Sequence, residues 1–302
     1  MEFKSKIVLI YGPTASGKST FAVQLAKKIN GEIINADSVQ VYKELRILSA
    51  RPIKKNYGNI KHHLYGFISG KKNFSTGDWL KLVKLKIYEI KKKKKIPILV
   101  GGTGLYFKSL TDGLVNIPSI PSYFRQEVRS LYEKTGSKNF FAKLIRIDPL
   151  VKKRIKSSDK QRLIRAFEVK SFTKKSIFNW FKETKSFYER KDFFKIYIDF
   201  PRKDLIKRIE LRAANMIEKG AILEVKKFLK MRVPPNKSVN KAIGIKEIKE
   251  YIDKKIQISD TIVKISIKTR QYAKRQTTWA RGNMNDWNRF NPKALKKFLK
   301  KI

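Results

Sequence analysis

Short β-branched apolar runs alternate with helically spaced ones along the first third of the chain. Lys6-Ile-Val-Leu-Ile-Tyr11 reads as a buried strand, and Phe21, Leu25 and Ile29, four apart, predict a helix behind it. Glu32-Ile-Ile-Asn35 predicts a second strand, and a third is expected near His63-Leu-Tyr65. Ser75 and Thr76 open a helix with apolar positions at Trp79, Leu82, Val83, Ile87 and Ile90. Pro97-Ile-Leu-Val100 is a further buried run that enters Gly101-Gly-Thr-Gly104. This alternation predicts an α/β fold with a parallel sheet, whose ligands bind beyond the C-terminal strand ends.

The texture changes at Ile117-Pro-Ser-Ile-Pro121, after which the segments are helical, basic and aromatic. Lys195-Ile-Tyr-Ile-Asp199 reads as a strand returning to the sheet, followed by amphipathic helices around 202–231, 244–254 and 260–282. The expected organisation is a catalytic core of residues 1–117 and 193–302 with a helical insertion over 118–192.

One loop carries explicit chemistry. Gly12, Pro13, Thr14, Ala15, Ser16, Gly17, Lys18 and Ser19 form G-x-x-x-x-G-K-[ST] between a strand and a helix, which makes the core P-loop NTPase-like. Its glycines let backbone N–H groups turn inward toward a phosphate, and the helix adds its positive end. Lys18 supplies a point charge, and Ser19 offers a hydroxyl to Mg²⁺. The loop predicts phosphate binding without saying what becomes of the phosphate. A kinase would ordinarily place a metal-holding carboxylate at a buried strand end. The strand at 96–100 ends in Gly-Gly-Thr instead, and Asp37 is the acidic residue nearest the loop by this reading.

Composition changes the picture in one respect. The net charge is +46, a field that draws polyanions and favours nucleic acid. Most of it is lysine, and runs such as Lys91–Lys95 read as solvated helix ends. The arginines are more telling, because a planar fork suits phosphate and base edges. They cluster at Arg162 and Arg165, at Arg208 and Arg212, and at Arg270, Arg275 and Arg281. The absence of cysteine excludes disulfides and thiolate metal sites. No apolar run approaches the ~20 residues that span a bilayer, so a cytoplasmic protein without membrane association is expected, with monomer as the default. His62 and His63, the only histidines, lack further ligands at metal spacing and read as hydrogen-bonding residues.

Six segments occur in order: Gly12 to Ser19, Asp37-Ser-Val-Gln40, His62-His-Leu64, Val100-Gly-Gly-Thr-Gly-Leu-Tyr106, Asp159-Lys-Gln-Arg-Leu-Ile-Arg-Ala166 and Thr269 to Arg281. Together they closely resemble the bacterial tRNA dimethylallyltransferases over about residues 6 to 290. The resemblance implies transfer of a dimethylallyl group from dimethylallyl diphosphate to N6 of the adenine 3′ of the anticodon, with Mg²⁺ as cofactor. It implies Asp37 as general base, Thr103 close to the reacting groups, and the Gly12–Ser19 loop with Arg212 on the diphosphate. For the tRNA anticodon stem-loop it implies Asp37, Ser38, Val39, Gln40, Thr103, Arg125, Gln161, Arg162, Leu163, Ile164, Arg165, Lys274, Arg275, Gln276 and Arg281. The chain departs from the family at Tyr65-Gly-Phe67, where an acidic residue is missing, and at Gly244-Ile-Lys246, where an aromatic one is. Three alternatives are weighed against this reading: prenylation of a free adenine nucleotide, a P-loop small-molecule kinase, and a non-catalytic RNA-binding module.

Overall fold

The computed structural model describes residues 3–302, and they divide into two compact units. Of the described residues, the first comprises 3–111 and 188–302, and the second 112–187.

The first unit begins β1 (Ile7–Tyr11), α1 (Lys18–Lys28), β2 (Gly31–Asn35), β3 (His62–His63), α2 (Thr76–Lys92), β4 (Ile96–Gly101) and α3 (Gly104–Thr111). The second holds α4 (Ser122–Ile147), α5 (Lys160–Thr173) and α6 (Ile177–Lys182). The first then resumes with β5 (Phe193–Ile198), α7 (Arg202–Glu218), α8 (Ala221–Lys230), α9 (Ile245–Ile252), α10 (Ile258–Asn283), β6 (Asn288–Phe290) and α11 (Pro292–Lys301).

The sheet order is β3-β2-β4-β1-β5-β6, and every pairing is parallel. β1 sits inside it, with Leu9 opposite both Leu99 and Lys195. All five β1 residues are buried, as a strand covered on both faces requires. One face packs Trp79, Val83, Ile87, Tyr106 and Phe107, and the other Phe21, Leu25, Leu295 and Phe298. A third cluster joins Val41, Tyr42 and Leu45 to Ala213, Val225, Phe228 and Ile265. Serine 75 caps α2 through a reciprocal capping box with Asp78.

Three expectations need adjustment. The third strand is shorter and earlier than expected, covering His62–His63 only. The 202–231 region is two helices, separated at Lys219–Gly220. The strand β6 and helix α11 had no sequence forecast; α11 closes one sheet face through Leu295 and Phe298.

In the second unit, α4 is interrupted at Gly136 (φ 70°), so one continuous helix is replaced by two segments in sequence. Phe140 and Leu144 from the later segment pack with Leu163, Ala166 and Val169 of α5.

Candidate active site

Three strand ends deliver the site. β1 runs into the phosphate loop, where Gly17 takes a left-handed conformation (φ 85°) and caps α1. The first backbone bond into the helix, from Phe21 N–H to Gly17, leaves the first-turn N–H groups without intrahelical partners. Ala15 is left-handed too (φ 65°), at a cost of about 1 kcal/mol for a residue with a Cβ. The Oγ of Ser16 is buried and without a hydrogen-bond partner, as a hydroxyl awaiting an anion would be.

β2 ends at Asn35, which is fully buried and holds the next turn in place. Its side chain accepts from Asp37 N–H (3.0 Å) and donates to the carbonyls of Asp37 (3.0 Å) and Leu64 (3.1 Å). The indole of Trp79 donates to the Asn35 carbonyl at 2.9 Å. Asp37 Oδ1 accepts from the N–H groups of Val39 (2.9 Å) and Gln40 (3.3 Å). The carboxylate is thereby oriented by its own loop.

β4 ends at Gly101, where a Cβ would lie 2.0 Å from the Ala36 carbonyl oxygen. Only glycine permits that approach, and it lets Thr103 reach across. The Thr103 hydroxyl accepts from Ser38 N–H (2.9 Å) and donates to Ser38 Oγ (3.2 Å).

A cavity of about 350 Å³ joins the phosphate loop to the Asp37 turn, lined by Thr14, Lys18, Ser19, Asp37, Arg208 and Arg212 among others; Thr103 is not part of its lining. Arg212 Nη1 donates to Thr14 Oγ1 at 3.0 Å, and Lys18 Nζ to the Pro13 carbonyl at 3.3 Å. Burial pulls the Lys18 ammonium from 10.5 down to about 8; Asp37 opposes that shift and Arg212 adds to it. Burial lowers Arg212 as well, again against Asp37 and with Arg208. Three cations and one carboxylate around an open space form a site with surplus positive charge, suited to an oligoanion. Burial holds Tyr65, Tyr106 and Tyr272 protonated, each pushed further up by Asp37.

The remaining expected residues fall into distinct groups. Lys274, Arg275 and Arg281 are exposed along α10. Arg125, Gln161, Arg162 and Arg165 belong to the second unit. There Arg165 pairs with the buried Glu168 at 3.2 Å, and Arg162 pairs with Asp159, the cap of α5. Three residues expected to bind tRNA are buried. Leu163 and Ile164 are buried in the core of the second unit, and Gln276 is buried with its amide engaged inside the first. Gln40 is also buried, its amide donating to Ser49 at 3.0 Å. His62 stacks on Tyr57 (3.6 Å between centroids) and is held neutral by burial, while His63 bonds to Glu32 at 2.8 Å.

Sequence reasoning noted Arg208 beside Arg212 as an arginine cluster without giving it a role at the site, and it passed over Asn35. Arg208 lies one helical turn before Arg212, a same-face spacing that could have flagged it. Asn35 carried no such signal.

The fold and the site define a P-loop α/β protein with a cavity lined by three cations and one carboxylate. The family model for IPP transferase matches residues 40–283, so the chain belongs to the IPP transferase family. It is 55% identical over 302 residues to the tRNA dimethylallyltransferase of Pelagibacter ubique (strain HTCC1062), spanning all of this chain and 96% of that one. Among solved structures, the full-length tRNA isopentenylpyrophosphate transferase from Bacillus halodurans superposes with a TM-score of 0.69 at 31% identity, covering 98% of this chain and 95% of that one. A eukaryotic dimethylallyltransferase acting on tRNA gives a TM-score of 0.82 at 28% identity, covering 95% and 73%.

Proposed function

We propose that this protein transfers a dimethylallyl group from dimethylallyl diphosphate to N6 of the adenine 3′-adjacent to the anticodon of tRNA. One observation carries the reading: the phosphate loop, Arg208, Arg212 and Asp37 share one cavity. Sequence kinship to tRNA dimethylallyltransferases supplies the group and the acceptor.

The chemistry follows from the charges. As the C1–O bond of the allylic diphosphate breaks and the N6–C1 bond forms, negative charge collects on the leaving diphosphate. Lys18, Arg212, Arg208 and the first-turn N–H groups are already in place to receive it, so no reorganisation is needed at the moment of reaction. The N6 amine is a weak nucleophile because its lone pair is shared with the ring. Asp37 takes its proton; with Oδ1 held by Val39 and Gln40, Oδ2 is the accepting oxygen. Such general-base assistance is typically worth ~10²–10⁴-fold. Thr103 holds the Ser38 turn and hence the carboxylate's approach.

Among the described residues no group of three or more His, Cys, Asp or Glu could cage a metal. That suits Mg²⁺, which binds through few protein oxygens and keeps water and phosphate ligands. Bound to the diphosphate it would spread the leaving group's charge, with Ser19 as its protein contact.

The target adenine must leave the anticodon stack, at a cost of a few kcal/mol. Exposed Lys274, Arg275 and Arg281, with Arg125, Gln161, Arg162 and Arg165 of the second unit, are the residues assigned to hold the anticodon stem-loop. Among the described residues no helix is long and apolar enough to cross a membrane. The reading takes the protein as a cytoplasmic monomer, which light scattering tests.

The deciding assay incubates the protein with Mg²⁺, dimethylallyl diphosphate and unmodified tRNA, with AMP and ATP as competing acceptors. Mass analysis is expected to find prenylated adenosine in tRNA alone. Prenylated free nucleotide would transfer the assignment to the nucleotide-modifying alternative, and ATP consumption to the kinase.

A further inference from the structure

Gln276 lies inside α10 at 5% exposure, and both ends of its carboxamide are engaged. Oε1 accepts from the Thr14 N–H of the phosphate loop at 2.8 Å. Nε2 donates to the Gly102 carbonyl at 2.8 Å. The backbone carbonyl of Gln276 accepts from the Tyr11 hydroxyl at 2.9 Å, which pins the helix at this residue. The fit leaves no slack, because a Cβ on Gly102 would lie 2.1 Å from Nε2.

The two backbone groups bridged by this side chain belong to different halves of the site. Thr14 is tied through its hydroxyl to Arg212, on the side assigned to the diphosphate. Gly102 precedes Thr103, whose hydroxyl holds Ser38 beside Asp37. A neutral amide is suited to accept from an N–H at one end and donate to a C=O at the other. By engaging the Thr14 N–H, it also withdraws that donor from the phosphate.

Resting on the reading of the site as a prenyltransferase, we propose that Gln276 is a positioning residue: its carboxamide sets the separation between the departing diphosphate and the attacking amine. Misplacement by 1 Å costs about 10²-fold in rate.

The test uses Gln276→Glu and Gln276→Leu in the full-length protein, assayed with dimethylallyl diphosphate and tRNA from pH 5.5 to 8. An ionised glutamate accepts but cannot donate to Gly102, whereas its protonated form does both. Gln276→Glu should lose about 10²-fold in kcat at pH 8, with the donor KM within about threefold of wild type. Its activity relative to wild type should climb by about tenfold or more toward pH 5.5. Gln276→Leu should lose activity in a ratio that does not change with pH. Tyr11 and Tyr272, held protonated by burial, and Lys18, at about 8, keep their protons over most of this range. Asp37 and other shared groups cancel in the ratio.

Wild-type kcat in Gln276→Glu at pH 8, or a flat ratio, overturns the proposal. A wild-type protein that prenylates nothing overturns the functional reading instead. The strut is then judged by hydrogen exchange of the Thr14 amide, which needs neither activity nor a folded variant. Exchange as slow as in β1 supports it, and rapid exchange in the wild type overturns it.

Discussion

Lys18→Met should make the protein more stable while abolishing its activity. In the folded chain, burial lowers the Lys18 ammonium from 10.5 to about 8, with repulsion from Arg212 contributing. That fall corresponds to about 3 kcal/mol of folded-state cost while the lysine is charged in both states. The sign is as follows. Below pH 8 folded and unfolded chains both carry the proton, and the whole cost is present. Between pH 8 and 10.5 the folded chain gives up the proton first, so the cost fades as pH rises. The charge cost relieved by Lys18→Met is therefore about 3 kcal/mol at pH 7 and about 1 kcal/mol at pH 9.5. Methionine keeps the unbranched shape and forfeits only the 3.3 Å bond to Pro13, worth about 1 kcal/mol, so the net gain should be about 2 kcal/mol at pH 7 and close to none at pH 9.5. Urea unfolding of both proteins at the two pH values measures the difference, and the other lysines cancel. A gain that is absent at pH 7, or equal at both pH values, would refute the electrostatic account of the site.

Other perturbations follow from the same geometry. Asp37→Ala should cut turnover by ~10²-fold or more while tRNA affinity holds, read by single-turnover rates and filter binding. Inorganic diphosphate binding should weaken as pH rises through about 8, and near pH 8 it should draw in about half a proton per site, seen as buffer-dependent heat in calorimetry. Asn35→Ala should cost about 2–4 kcal/mol, since it unpairs the Asp37 N–H and two carbonyls together; thermal unfolding reports it. Arg162→Ala, on an exposed side chain, should lower the salt slope of tRNA binding by about 1 and leave donor affinity unchanged.

The sheet and the phosphate loop were legible because their signals are local. β1 is a buried run ending in a glycine pattern, and α2 carries its cap and its stripe within 17 residues. Arg208 and Arg212 stood out together as an arginine cluster, but only likeness to a family gave Arg212 a role, and Arg208 was given none. Gln276 turns inward for a reason the sequence does not display. Its partners are backbone atoms of Thr14 and Gly102, 262 and 174 residues away, and backbone atoms leave no mark on a sequence. The motif around it mixes faces: Lys274, Arg275 and Arg281 point outward, while Ala273, Gln276 and Ala280 point inward. β6 went unforecast because a three-residue edge strand is too short for a period to register; α11 did carry local signals, the cap Asn291 and Pro292 in its first turn, which went unread.

The order of synthesis gives the split first unit a further significance. β1 leaves the ribosome near the start, yet its neighbour β5 follows only after the whole second unit, with Leu9 opposite Lys195. At about 5–20 residues per second, β1 waits roughly 10–40 s for that partner. During this time one flank of a fully apolar strand stays unpaired, while residues 112–187 are made in between. The nascent chain is therefore most exposed to chaperones, and to aggregation, across its own phosphate-binding strand.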